Sequence, residues 1–579
     1  MELIMDKLRL ACLLPALLFT QTCLATDKAL LDILLNNKVI GIEQYNTLIK
    51  SATGNVNPTL LEVLMQNGAI TQDQYNKLAK EKELATEITV TSAANQNTVS
   101  VNNQSQGNND ILHMHPGINE GGAPEPHRVG TEVFPGVHAT FGGFIEAAGI
   151  NRSKNESQDV NSNSNTFIPF NNSTNAYQSE FRESARQSRI SLLMEGKYQE
   201  DIKLASYLEM DFLGVSSANS IQASPYSPRL RLGYATIDWI EEGWHFLGGQ
   251  SWSLVTTNKV GISPRTENPP LTIDGGFIPG FNYARSSQLR LVKDFADHTI
   301  WAALSLESPQ ANLLGLTVPG TAYNSSAAVT ANNPGGGSLS PSVNYSTDVA
   351  PDIITKLAFD PGWGHYELFG MTRFFHSTIN NAANTQLSNH TVESLGGGFA
   401  ALLPIVPKLL DVQLNVMGGS GIGRYSTAQL PDVAFSTSGA LMPLTQYTAL
   451  LGIIAHPDPK WDFYTYWGGE VVNRYNQSVT GNMPSSTIPM AAAYGYGNSN
   501  LNNYGCAVLG GACFAQTSSA WQITPGFWTT IYGGNAGTVK AGLQYAYTRR
   551  NAFSGLGGYA PHTDENAFLF SFRYYPLQK

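Results

Sequence analysis

Residues 538–548, TVKAGLQYAYT, and residues 568–575, FLFSFRYY, decide the fold class of this chain. In the first, Val539, Ala541, Leu543, Tyr545 and Tyr547 alternate with Thr538, Lys540, Gly542, Gln544 and Thr548. In the second, Phe568, Phe570, Phe572 and Tyr574 alternate with Leu569, Ser571, Arg573 and Tyr575. A period of two puts alternate side chains on opposite faces of a strand. One face is oily, while the other carries small and charged groups that suit a water-filled interior better than the dry core of a sandwich. Upstream, Ile190, Leu192, Met194 and Tyr198 alternate with Arg189, Ser191, Glu195 and Lys197 in the same way.

Working outward, sixteen such segments run from about residue 138 to the last few residues. They are joined alternately by tight turns and by long polar connections. The tight turns fall at Gln199–Asp201, Glu241–Gly243, Ala296–Asp297, Pro361–Gly364, Val406–Leu410, Pro457–Lys460 and Gly533–Ala536, most of them rich in the residues a reversing chain needs. The long connections are Asn151–Ser184, Gly214–Ser227, Thr257–Ala284, Ser308–Pro351, Ile379–Asn389, Ser426–Ala440, Asn476–Thr517 and Ala552–His562. Long loops on one side and short turns on the other are the pattern of a transmembrane β-barrel. The expectation is therefore an all-β transmembrane barrel of about sixteen antiparallel strands over residues 135–579, with both ends of the strand set on the short-turn side.

Composition agrees. Only 13% of the 579 residues are charged, 10% are aromatic, 55 are glycine, and the formal net charge is −10. The acidic balance and the lack of a Lys/Arg tract argue against nucleic acid as a partner. Past the first 25 residues, no stretch approaches the roughly 18 apolar residues of a spanning helix. Those first residues read as a secretory signal: Lys7 and Arg9 precede the apolar run Leu10–Phe19, and Ala25 closes a cleavage site. Export leaves Cys506 and Cys513, in the longest late loop, as the expected disulfide.

Residues 26–85 hold an internal repeat. ALLDILLNNKVIGIEQYNTLIK (29–50) aligns with TLLEVLMQNGAITQDQYNKLAK (59–80), with ten identities in twenty-two positions. Each copy reads as a helix-turn-helix hairpin, a small α-helical extension on the periplasmic side. Residues 86–134 read as a polar, disordered linker. Within it TEITVTSA (86–93) resembles the segment by which energised receptors engage TonB, but such receptors need a plug and 22 strands for which this chain has no room. His113, His115 and His127 read as solvated bystanders, and neither a metal site nor a cofactor is expected.

Function is expected in the lumen. Arg189, Arg229, Arg231, Arg290 and Arg373 recur on the polar face of the strands. Facing lipid at the midplane each would cost about 2–4 kcal/mol, so the interior is the cheaper place. Guanidinium groups in a narrow aqueous pore favour anions, unless they are consumed by bracing carboxylates such as Glu183, Glu195, Glu209 or Glu367. The third long connection, Thr257–Ala284, carries Lys259, Arg265, Glu267 and Asp274 on a proline-stiffened path. It either folds into the barrel as a constriction, with Arg265 on its rim, or lies outside as a flap.

GGQSWSLV (248–255), FIPGFNYARSSQLRL (277–291), LSLESPQ (304–310), ELFGMTRFF (367–375) and SGIGRY (420–425) resemble the DcaP-like trimeric porins. The resemblance implies a homotrimer in the outer membrane of a Gram-negative bacterium, passing small anionic solutes of dicarboxylate type. It carries over Gln250, Arg290, Arg373 and Arg424 as pore-side residues. The helical repeat is similar to the leader of phosphate-selective porins. One departure concerns the insertion machinery, which usually reads a terminal aromatic residue; here Leu577, Gln578 and Lys579 follow, so the signal is expected at Phe572–Tyr575. A passive porin without catalytic residues is the leading reading, and an adhesin or structural barrel acting through its long loops is the alternative.

Overall fold

The computed structural model describes residues 131–160, 164–214, 226–317, 327–330, 332–334, 344–381, 387–483 and 487–576. The expected signal, the helical repeat, nearly all of the linker with its histidines, and Leu577–Lys579 lie outside them.

Sixteen antiparallel strands close on themselves. They are β1 (Val137–Arg152), β2 (Glu180–Ser184 continued by Arg189–Lys197), β3 (Ile202–Gly214), β4 (Ser227–Trp239), β5 (Trp244–Trp252), β6 (Arg285–Phe295), β7 (Ile300–Glu307) and β8 (Asp352–Phe359). There follow β9 (His365–Asn381), β10 (Leu387–Val406), β11 (Leu410–Ser420), β12 (Thr445–Asp458), β13 (Trp461–Val472), β14 (Thr517–Gly534), β15 (Gly537–Ala552) and β16 (His562–Tyr575). Each pairs with its sequence neighbour, and β1 pairs with β16 from Ile145↔Tyr574 to Arg152↔Ala567. Closure removes both sheet edges, which a lipid-embedded sheet requires. Thr131–Phe134, expected at the end of the linker, instead form a short strand paired with β1.

The period-two reading holds around the wall. On β16, Phe568 and Phe572 are 60% and 46% exposed, whereas Leu569 and Arg573 are 2% and 1% exposed. The tight turns lie where reversal was expected, some of them using the left-handed backbone that Gly243 and Gly537 tolerate. One loop is shorter than anticipated. Ile379–Asn389 is mostly strand, because β9 and β10 stay in register up to Asn380↔Leu387.

The connection from β5 to β6 turns inward. Thr257, Ile273, Ile278 and Phe281 are wholly buried on the inner side of the wall, and burying each large apolar group stabilises the insertion by about 1.5–3 kcal/mol. Its polar backbone is met by inward side chains. Leu254 N donates to Glu307 of β7, Asn258 N to Glu367 of β9, Gly280 N to Glu470 of β13 and Ile273 N to Gln544 of β15. Gln413 of β11 donates to Asn268 O, Trp528 of β14 to Leu271 O, and Arg573 of β16 to Ile273 O. The approach is close enough to need glycine: a Cβ on Gly280 would sit 2.1 Å from Ala449 O, and one on Gly468 2.0 Å from Pro279 O.

Candidate functional site

The inserted segment divides the interior. It leans on β7 to β16, and its apolar side also meets Ala148 and Ile150 of β1. Facing it from the opposite arc, β2 to β6, is a concentration of guanidinium groups.

On that arc the wall supplies Arg189 of β2 and Arg229 and Arg231 of β4, all on the inner face. A bulge makes this possible. Glu209 of β3 pairs with Leu232 and Met210 with Leu230, so Arg231 is the extra residue, and Arg231 and Leu232 are both buried inside. Arg229 forms a two-pronged bond to Asp211, at 3.0 and 2.7 Å. Arg231 bonds Glu209 at 2.7 Å and Asp211 at 3.0 Å. Arg189 lies over the ring of Phe144, 5.3 Å from its centroid.

Two further arginines come from the inserted segment and its end. Arg265 has a left-handed backbone, φ 71°, at the tip of a small hairpin closed by the Asn258↔Glu267 bridge, and reaches over Tyr207 at 6.0 Å. Arg285, the first residue of β6, lies over both Trp252 and Tyr283 and donates to the Tyr283 hydroxyl at 2.8 Å. It stands in the positive field of Arg231, Arg229 and Arg189. Nη1 of Arg265 and Nη1 of Arg285 have no hydrogen-bond partner among the described residues. Arg229 keeps 39% of its side chain exposed, and Arg265, Arg285 and Tyr283 are half-buried. Asp274 is a half-buried carboxylate of the inserted segment, and its Oδ1 accepts from Gly276 N at 2.9 Å. In the same segment, burial raises the Glu267 carboxyl above its ordinary range against the pull of backbone N–H groups and of Arg290 and Arg265.

The other expected pore residues lie elsewhere. Arg290 is buried behind this cluster, donating to Gln288 at 3.0 Å and to Trp252 O at 2.5 Å. Arg373 of β9 is across the barrel, held by Asp352 and Asp432 at 3.0 Å each and stacked on Phe375 and Tyr425. Arg424 is beside it, bonded to Ser308 O. Gln250 requires a correction, because it is not on the pore side. It pairs with Gly233 and Ser287 on the outward face, and its amide donates to the carbonyls of Leu230 and Arg231, where the bulge leaves them open. Of the suggested braces, Glu209 holds Arg231, Glu195 holds Lys203 and Glu367 holds Lys356. Sequence reading missed Arg285, which lies at a loop–strand junction where a period of two gives no facing, and missed Asp211, which lies one register step beyond Glu209.

Cys506 and Cys513 form a disulfide, with Cα atoms 4.5 Å apart. The loop that holds it packs on Phe170 and Ala552 above the barrel wall.

No family model matches the sequence, and none of the curated proteins does. Among solved structures, the outer-membrane channel DcaP of Acinetobacter baumannii superposes with a TM-score of 0.53 at 14% identity, covering 77% of this chain and 100% of that one. The barrel has the fold of a DcaP-like porin. An anion-selective porin from Comamonas acidovorans (TM-score 0.41, 10% identity, 76% and 99% coverage) and OprB of Pseudomonas putida (0.40, 11%, 75% and 94%) are more distant. At such identities the DcaP-like likeness establishes an outer-membrane barrel architecture, and the chemistry of the passage rests on this chain's own residues.

Proposed function

We propose that this protein is a passive outer-membrane porin that prefers small anions, dicarboxylate-like solutes among them, and that it works as a homotrimer with residues 26–85 in the periplasm. The observation that carries the reading is the convergence of Arg189, Arg229, Arg231, Arg265 and Arg285 on one arc of the interior, where Glu209 and Asp211 pair with Arg229 and Arg231 and where Nη1 of Arg265 and of Arg285 has no hydrogen-bond partner among the described residues. Arg229, Arg231, Arg265 and Arg285, with Glu209 and Asp211 bonded to the first two and Glu267 acting on Arg265, leave a positive field in a confined, low-dielectric channel, where it acts on a passing ion more strongly than in bulk water. A solute crosses down its gradient, and no bond is made or broken.

Planar-bilayer recording in a salt gradient tests this. The expected result is an open conductance whose reversal potential has the sign for anion preference. A cation-preferring conductance would remove the selectivity reading. Silence of correctly folded protein would remove the porin reading itself and favour a surface role for the extracellular loops.

A further inference from the structure

The hairpin that carries Arg265 is not held by apolar contacts alone. Its base and flank rest on a buried four-charge cluster at the short-turn end of β8 and β9. Lys356 of β8 donates to Thr256 O at 2.7 Å and to Glu367 Oε2 at 2.9 Å. Glu367 Oε1 accepts from Asn258 N at 2.9 Å, and Asp360 Oδ2 accepts from Gly261 N at 3.0 Å. Between these two carboxylates stands His365, with Nδ1 2.6 Å from Asp360 Oδ1 and Nε2 3.0 Å from Glu367 Oε1.

A carboxylate oxygen only accepts, so an imidazole placed between two of them must carry a proton on each nitrogen. With Asp360 and Glu367 both ionised, His365 is an imidazolium, and the cluster balances two cations, Lys356 and His365, against two anions, Asp360 and Glu367. Among the described residues Asp360 and Glu367 are the charged groups that act on the ring, Lys356 pairs with Glu367 on its other side, and Arg290 and Glu267 act on Lys356 from farther off. Losing the proton would leave a net negative charge in a site where His365 and Glu367 have no solvent contact, and one acceptor bond with no donor. The groups that would have to move to relieve it are the ones that hold Asn258 and Gly261.

We propose that His365 is a positioning residue for the pore: protonated, it orients Asp360 and Glu367 so that the 257–268 hairpin keeps Arg265 in the passage. This rests on the porin reading and adds to it a proton-dependent selectivity. His365 touches no solute; it acts through Glu367, Asp360 and the hairpin.

The test uses the full-length protein in planar bilayers, with the anion-to-cation permeability ratio read from pH 6 to pH 11 for the wild type, H365Q, H365R and R265Q. In the wild type the ratio should fall by about threefold across an alkaline transition as the field at the rim weakens. H365Q should show the low ratio at every pH, R265Q should be equally low and flat, and the double variant should be no lower than either. H365R, which keeps the charge and can donate to both carboxylates, should restore the ratio without the transition. The proposal is overturned if H365Q keeps the wild-type ratio and profile while R265Q loses selectivity. It is also overturned if the wild-type ratio is flat over this range, a reading that needs no variant to fold. If no variant and no pH changes an anion preference, it is the placement of the pore at Arg265 that fails, and with it the site on which the porin reading rests.

Discussion

Arg373 and Arg229 both stand on inner faces of the same barrel, and they do different work. Arg373, on the filled side, is 1% exposed and has its donors taken by Asp352, Asp432 and the carbonyls of Gly421 and Gln310. Arg229, on the open arc, shares Asp211 with Arg231 and keeps much of its guanidinium exposed. The chemistry of the side chain is the same; the number of acceptors around it decides whether its charge is consumed by the fold or left for a solute. On one side the inserted segment and the loops above it bring carboxylates and carbonyls to Arg373. On the other, Arg229 and Arg231 share Asp211, and Nη1 of Arg265 and of Arg285 has no hydrogen-bond partner among the described residues.

That division is broken most forcefully at Arg373. Replacement by glutamine leaves Asp352 and Asp432 buried without their shared cation and should cost about 3–5 kcal/mol of stability. Denaturant-induced unfolding in lipid measures this, and the reversal potential of protein that folds should stay at the wild-type value. A selectivity change of the size seen on the open arc would mean that the two sides are not separate.

The converse substitution is R229Q with R285Q. Arg231 still satisfies Asp211, so stability should change by no more than about 1 kcal/mol, while the anion-to-cation permeability ratio should fall by roughly tenfold. Retention of the ratio would show that the exposed guanidinium groups of this arc are not what the ion meets.

Much of this contrast could be read in advance, and the part that could not has identifiable causes. Strand number, the sequence of short and long connections, and the facing of Arg573 against Phe572 follow from a period of two, which is a local property. The pairing of Arg373 follows only in part, since Asp352 is its neighbour across the β8–β9 hairpin, whereas Asp432 is brought to it by the folding of the loop before β12. Gln250, a pore-side residue only by the family resemblance, faces outward, where the bulge at Arg231 leaves carbonyls that its amide satisfies. The inward course of Thr257–Ala284 is not legible locally, because its buried carbonyls and N–H groups are satisfied by Gln413, Glu470, Trp528, Gln544 and Arg573, all more than a hundred residues away.

Glu267 sharpens the comparison through pH. Its carboxyl is raised by burial, so the folded protein binds this proton more tightly than the unfolded chain does. Its contribution to stability is therefore complete below the ordinary glutamate range and is lost as pH rises through the raised value. E267Q removes that loss. It should be more stable than the wild type at pH 7, by about 1 kcal/mol, with the difference vanishing in acid. The same proton also moves selectivity, because neutralising Glu267 unopposes Arg265 and Arg290. The wild-type anion preference should rise on acidification before exposed glutamates titrate, and E267Q should show the higher value already at pH 7.

The smallest effect on transport is expected at the disulfide, although it lies in one of the longest loops. Cys506–Cys513 closes a short ring, for which loop-closure entropy allows at most about 3 kcal/mol, and the segment is tied down independently of it. Gly510 N donates to Asn172 O, Asn172 donates back to Gly511 O, and Asn503 donates to Phe553 O. Opening the ring by C506S with C513S should therefore loosen the ring locally, seen as faster proteolysis within residues 505–514, and leave the barrel's unfolding midpoint and its reversal potential in place. The loop's described partners, Phe170, Asn172, Ala552 and Phe553, do not include the arginines of the open arc, so the field there has no reason to change. A shift in selectivity on reduction would mean that the loop reaches across to Arg229 and Arg285, and that the passage is shaped from above as well as by the inserted segment.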